Sequence, residues 1–284
     1  MSENSLSRRA VSLVLCVALL AATAACSPSA GTGPAPELAP IPRGEELPDN
    51  MSLTIVYDNN AYDPRLQAQW GFGCWIVYGD KVVLFDTGGD GAVLLSNMSH
   101  LELDPQDIDV VVLSHIHGDH TGGMEALLST GVRPEVYVPV TFPTNYKNQL
   151  RQWVTVHEVG NPERILPGVY STGKMGVNIP EQGLLLRTAR GVVVITGCAH
   201  PGIASMVQQA KDVMQDDIRL VLGGFHLGGA SSAQVQQICD TFRELGVQKV
   251  APCHCTGDPA MQVFASEFGD DYLKAGVGWS LDLS

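Results

Sequence analysis

Apolar and polar positions fall into two regimes along the chain. Residues 10–22 are one apolar run, broken only by Ser12, behind Arg8 and Arg9, and residues 27–50 are rich in Pro, Ala, Gly and Ser, a composition that cannot build a packed core. From residue 52 onward short β-branched and aromatic runs begin, bounded by Gly or Asp. Segments 53–57, 74–78, 82–85, 110–113, 135–138, 184–187, 192–196, 219–222 and 247–251 read as strands. Gly79-Asp80 and Ala189-Arg190-Gly191 read as hairpin turns. Helical patterns fit 92–99, 124–129, 203–215, 233–245 and 259–268. Strands dominate first and then alternate with helices in both halves, which predicts an α/β protein with mixed sheets and helices outside.

The first regime reads as export and tethering. The run over 10–22 is too short to span a bilayer comfortably, and with Arg8 and Arg9 it predicts a signal peptide over 1–25. It ends in Thr23-Ala24-Ala25-Cys26, which resembles the lipobox of bacterial lipoproteins. That resemblance implies that Cys26 is lipidated and becomes the first residue of the mature chain, with 26–50 as a lipid-anchored tether and 51–284 as the catalytic domain. An ordinary secretory signal cleaved nearby is the alternative. Ser7-Arg8-Arg9-Ala10-Val11 also partly resembles a twin-arginine signal, so the export route stays open. The expected location is exported and anchored to a bacterial membrane, periplasmic or on the outer face.

Composition narrows the classes further. Lys plus Arg is 17 against 30 for Asp plus Glu, a net charge of −13 without a basic cluster, so nucleic acid is not an expected partner. An apolar content of 45% excludes disorder of the whole chain. Of seven cysteines, Cys16 leaves with the signal and Cys26 takes the lipid. The odd remainder excludes a complete disulfide framework.

The candidate chemistry is in the histidines, most of which lie at or just beyond strand ends. The strongest segment is Ser114-His115-Ile116-His117-Gly118-Asp119-His120-Thr121-Gly122-Gly123. In extended chain His115 and His117 point to one side, whereas the adjacent Asp119 and His120 point apart and can serve a different position. Clustered N and O donors of this kind suit borderline divalent metals such as zinc.

His115-x-His117-x-Asp119-His120 resembles the signature of the metallo-β-lactamase superfamily. The resemblance implies an αββα sandwich of two similar halves. Phe85-Asp86-Thr87-Gly88 is similar to the earlier motif, in which Asp86 would give structural support to the metal loop. Gly197-Cys198-Ala199-His200 and Pro252-Cys253-His254-Cys255-Thr256-Gly257 are similar to later motifs. They imply His115, His117 and His200 on one metal, and Asp119, His120 and His254 on a second. More narrowly, Thr196–Ile203, Gly223–Leu227, 252–257 and 167–173 resemble the branch named for dihydropterin–ribofuranosylaminobenzene-phosphate synthase-like proteins. One departure stands out. Many binuclear members carry a bridging Asp after the penultimate strand, but here that stretch is Leu222-Gly223-Gly224-Phe225-His226. His226 either replaces it as a metal ligand, contacts substrate or is a buried structural histidine, and the second metal is expected to bind weakly. Cys198, Cys253 and Cys255 are read as packing residues, a disulfide pair or thiolate ligands.

The expected activity is a zinc-dependent hydrolase with one or two ions, Mn2+ or Fe2+ being alternatives. Its metal-bound hydroxide would act on a small-molecule ester, lactone, amide or phosphoester, with Asp119 as the catalytic residue. The alternatives are a non-catalytic metal- or ligand-binding lipoprotein and a synthase-type transferase. Residues 140–153 are a candidate cover, in which Lys147 and Arg151 would meet a substrate phosphate or simply form a solvated helix face. The tether reading predicts that Cys26→Ser leaves the membrane fraction or accumulates as uncleaved precursor. Wild-type chain secreted without a lipid mass would contradict it.

Overall fold

The computed structural model describes residues 46–284; the signal-peptide, lipidation and Cys26 readings, and most of the tether, lie outside the described residues. In chain order the strands are β1 (Met51–Asp58), β2 (Phe72–Tyr78), β3 (Lys81–Phe85), β4 (Val110–Val112), β5 (Glu135–Pro139), β6 (Val156–Val159), β7 (Glu163–Leu166), β8 (Val169–Ser171), β9 (Leu184–Thr188), β10 (Gly191–Thr196), β11 (Ile218–Gly224), β12 (Lys249–Cys253) and β13 (Ser280–Asp282). The helices are α1 (Gly91–His100), α2 (Gly118–Thr121), α3 (Met124–Ser129), α4 (Thr144–Leu150), α5 (Ile203–Met214), α6 (Ser232–Glu244) and α7 (Asp258–Phe268).

The strands form two mixed sheets. The first runs β13-β1-β2-β3-β4-β5-β6 and the second β12-β11-β10-β9-β8-β7. In each, antiparallel hairpin strands lead into parallel ones: β3, β4, β5 and β6 in the first, and β10, β11 and β12 in the second. The two predicted hairpins form. Tyr78 pairs with Lys81 across Gly79-Asp80, and Thr188 pairs with Gly191, which the structure places as the first residue of β10 rather than in the turn.

Burial explains the layering. Ile55, Phe85 and Val112 of the first sheet share one apolar cluster with Leu184, Ile195, Leu222 and Ala251 of the second. Alternate residues of the same strands face outward. Leu84, Val111 and Val136 meet Leu94, Leu127 and Leu128 of α1 and α3, and Val194, Val221 and Val250 meet Met206, Phe242 and Phe264 of α5, α6 and α7. Strands buried on both faces read as continuous apolar runs, as Val110–Val112 and Gly191–Thr196 do. The result is the αββα sandwich.

Strands β6, β7, β8 and β13 were not legible as strands. They are short or carry charged residues, as Glu163–Leu166 does. Segment 140–153 holds α4, whose Leu150 packs with Phe142 on the outer side of the first sheet. Among the described residues no helix is long and apolar enough to cross a membrane.

Ile195 is fully buried between the sheets. Ile195→Ala should lower unfolding free energy by about 2–5 kcal/mol in a urea titration, because the cavity cannot close between two hydrogen-bonded layers.

Candidate metal centre

The parallel strands of both sheets deliver their C-terminal ends to one edge of the sandwich. Asp86 follows β3, 114–117 follow β4, Gly197–His200 follow β10, His226 follows β11 and His254 follows β12. Asn59 joins them from the end of β1.

Asp86 organises the first half. Its buried carboxylate accepts from the Ser114 backbone N–H (2.7 Å), the Ser114 hydroxyl (2.7 Å) and His120 Nδ1 (2.7 Å). Thr87 adds two hydrogen bonds to the His120 carbonyl, from its N–H at 2.8 Å and its hydroxyl at 3.0 Å. The second half meets this group closely. At Gly197 a Cβ would lie 2.1 Å from Ser114 Oγ and 2.8 Å from Asp86 Oδ2, so any side chain there would separate the halves.

Two donor sets converge. In the first, His115 Nε2 lies 3.1 Å from His117 Nδ1, and His200 completes the group. His115 Nδ1–H donates to Ser114 Oγ at 2.9 Å, which leaves Nε2 as the lone-pair atom. His200 Nε2 is buried without a hydrogen-bond partner. In the second set, Asp119, His120, Cys198 and His254 gather. Cys198 Sγ is 3.2 Å from His120 Nε2 and 3.4 Å from His254 Nε2, and Asp119 Oδ2 is 3.6 and 3.5 Å from the same nitrogens. His120 and His254 give their outer nitrogens to Asp86 and to Asn59 Oδ1 (2.8 Å) and keep Nε2 free. Tying one ring nitrogen to an oxygen acceptor is how a protein fixes tautomer and orientation for ligation by the other. The orphaned His200 nitrogen and these convergent lone pairs fit two divalent ions held by N, O and S donors.

Electrostatics agree with that fit. Burial, and then the neighbouring rings, hold His115 well below the usual histidine range and bring His200 down to about 4, so both are neutral at pH 7 and ready to ligate. Burial pushes Asp119 upward, but its hydrogen bond with His254 and the charge of His120 outweigh this and keep it ionised. Burial lowers His120, yet the Asp86 carboxylate more than offsets it and the ring titrates above its usual value.

The loop carrying Cys198 and His200 is held by Glu181. Its fully buried carboxylate accepts from the backbone N–H groups of Gly197 (3.1 Å), Cys198, Ala199 and His200 (2.9 Å each). Burial raises its pKa despite those four donors. Asp86, Ala199, His226 and His254 all have positive φ, at 59°, 59°, 54° and 49°. Left-handed backbone at residues other than glycine costs energy and collects where geometry is imposed by function.

The structure thus brings His115, His117, Asp119, His120, His200 and His254 together, with Asp86 behind them. Asp119 and His120 converge rather than point apart, because this stretch is the first turn of α2 and not extended chain. His226 is exposed, which corrects the buried-histidine alternative; its ring lies 4.3 Å from that of His200, in a third potential donor group with Cys198. Lys147 and Arg151 both pair with Glu158, at 2.6 Å each, and Lys147 is buried. Cys198, Cys253 and Cys255 are free thiols. Glu181 and Asn59 escaped the sequence reading. Their partners are backbone groups and a histidine more than a hundred residues away, in neither case part of a local motif.

A sequence model of the metallo-beta-lactamase superfamily matches residues 74–210. A 7,8-dihydropterin-6-methyl-4-(beta-D-ribofuranosyl)-aminobenzene-5'-phosphate synthase from Methanocaldococcus jannaschii is 27% identical over 81% of this chain and 96% of its own. Among solved structures, a metal-dependent hydrolase of the beta-lactamase superfamily is 27% identical, with a TM-score of 0.69 over 82% of this chain and 99% of that one. A metallo-beta-lactamase fold protein from Bacillus subtilis shares the fold, with a TM-score of 0.62 at 15% identity over 82% of this chain and all of that one.

The expectation of a weak second site rested on the missing bridging carboxylate alone; Cys198 gives that set a fourth donor and reverses the prediction. Elemental analysis after mild chelation should therefore find two firmly held ions in the wild type and about one in Cys198→Ser, the latter still folded by circular dichroism. Equal metal content in both would remove Cys198 from the centre.

Proposed function

We propose that the chain is a member of the metallo-β-lactamase superfamily, whose sequence model matches residues 74–210, and that it is a metal-dependent hydrolase, with zinc as the metal. The observation that carries this reading is the first donor set. Three histidines whose inner nitrogens converge would hold a divalent ion and leave it open to water or substrate, the donor count of catalytic rather than structural sites. An ion held there would supply a Lewis acid and lower the pKa of bound water toward neutrality. A sulfur donor at the second set favours zinc over the harder Mn2+.

The protein's own groups supply the rest. Asp119 is ionised and only partly buried, so it can hold an attacking water in line and accept or pass its proton, work of the kind worth about 10²–10⁴-fold in rate. His115, His117 and His200 fix where the reacting oxygen sits. Glu181 keeps the His200 loop in place without touching substrate. The substrate class is a small-molecule ester, lactone, amide or phosphoester. A synthase-type transfer is the second reading, favoured by the 27% identical synthase from Methanocaldococcus jannaschii. Export and lipid anchoring through Cys26 would place the activity at a bacterial membrane, away from cytosolic substrates.

His117→Ala and Asp119→Ala test the hydrolase reading. Both side chains stand on a turn held by the sheet and by Asp86, and a core of this size does not need a metal to fold. Both variants should keep the wild-type circular dichroism spectrum while turnover of generic phosphodiester or lactone substrates falls by at least about 10²-fold. Near wild-type turnover in either would refute the proposed chemistry, and unfolding of His117→Ala would mark the site as structural.

A further inference from the structure

Trp70 is 57% exposed at the end of the loop joining β1 and β2. Its indole is not loose on the surface. The ring centroid lies 4.9 Å from that of His254, with the planes tilted by 53°. The backbone beneath it is clamped. At Gly71 (φ +140°) a Cβ would lie 2.4 Å from the Asp119 carbonyl oxygen, and at Gly89 a Cβ would lie 3.1 Å from the Trp70 carbonyl oxygen. The backbone of this loop therefore sits directly on the metal-binding turn, which fixes where the Trp70 side chain leaves the chain.

Trp153 makes a useful contrast. It too is exposed, at 52%, but the Arg133 guanidinium lies over its ring at 5.2 Å, a contact made within the fold. The aromatic neighbour of Trp70 is instead a ring whose inner nitrogen faces Asp119 and Cys198. An indole resting against the rim of a donor cluster, with more than half its surface in water, gains free energy when a ligand covers it.

We propose that Trp70 is a stacking platform that selects substrates carrying a flat aromatic ring bonded directly to the group that meets the metal centre: an aryl ester or aryl phosphoester. This rests on the hydrolase reading and narrows its substrate class. The indole lies one ring-contact distance from His254, so a ring attached directly to the ligating head group covers the indole while the head group reaches the second donor set. An aliphatic substituent of the same head group leaves the indole largely wet. Trp70 acts on binding and orientation and takes no part in bond making.

The test compares phenylphosphonate with methylphosphonate, two ligands with the same head group, by calorimetric titration of the zinc-loaded chain. The readout is the ratio of their dissociation constants, so any general effect of a substitution on the centre cancels. Wild type should favour the phenyl compound. In Trp70→Ala that preference should shrink by roughly 3- to 10-fold, the size of one aromatic contact, and Trp70→Phe should keep most of it. The same ratio in wild type and Trp70→Ala overturns the proposal. Methylphosphonate binding that is indifferent to zinc would instead count against the hydrolase reading, and the ratio would still report on Trp70.

Discussion

A single buried carboxylate holds the centre to the sheets. Asp86 takes three hydrogen bonds of 2.7 Å, from the Ser114 backbone, the Ser114 hydroxyl and the His120 ring. A carboxylate with no exposure is costly to leave unpartnered, and hydrogen bonds to such a group are among the strongest a protein makes. The Ser114 hydroxyl passes the anchoring on to His115, so both donor sets trace back to one acidic group. The tight approach of Gly197 then brings the second half of the chain against the same carboxylate. Replacing Asp86 would loosen the first turn of α2, the His115 tautomer and the seam between halves together.

Anchoring of this kind separates two jobs. Outer nitrogens and backbone N–H groups satisfy Asp86, Asn59 and Glu181, and inner nitrogens, Cys198 Sγ and the Asp119 carboxylate face one another. Like-facing lone pairs are unfavourable without a cation between them, so the free energy released on metal binding is partly stored in the fold. The cost is carried by the two apolar clusters outside the sheets and by the one between them.

Much of this was legible in the chain. The buried strand 110–113 followed by a histidine-rich turn located the centre, and the apolar runs located both hairpins and the long helices. Such features depend on local periodicity, which the sequence displays directly. The rest depends on contacts between distant segments. Glu181 reads as a loop residue until the structure shows four backbone donors converging on it. Lys147 and Arg151 have the spacing of a phosphate clamp, yet a carboxylate seven to eleven residues later occupies both. The role of Cys198 could not be weighed from spacing alone, because its partners His120 and His254 come from opposite halves of the chain. Strands β6, β7, β8 and β13 are held by their neighbours rather than by their own composition.

The left-handed backbone at Asp86, Ala199, His226 and His254 sets stability and chemistry against each other in evolution. Glycine would relax each of these positions, by about 1 kcal/mol or more. At Asp86 and His254 the gain would come with loss of an anchor or a donor, so selection for activity should keep those side chains even in a marginally stable ancestor. Ala199 contributes no donor atom, only a backbone N–H to Glu181 that glycine would equally supply. A lineage pressed by heat would therefore drift to glycine at 199 long before it touched Asp86 or His254, and the order of those replacements would record which pressure had been the stronger.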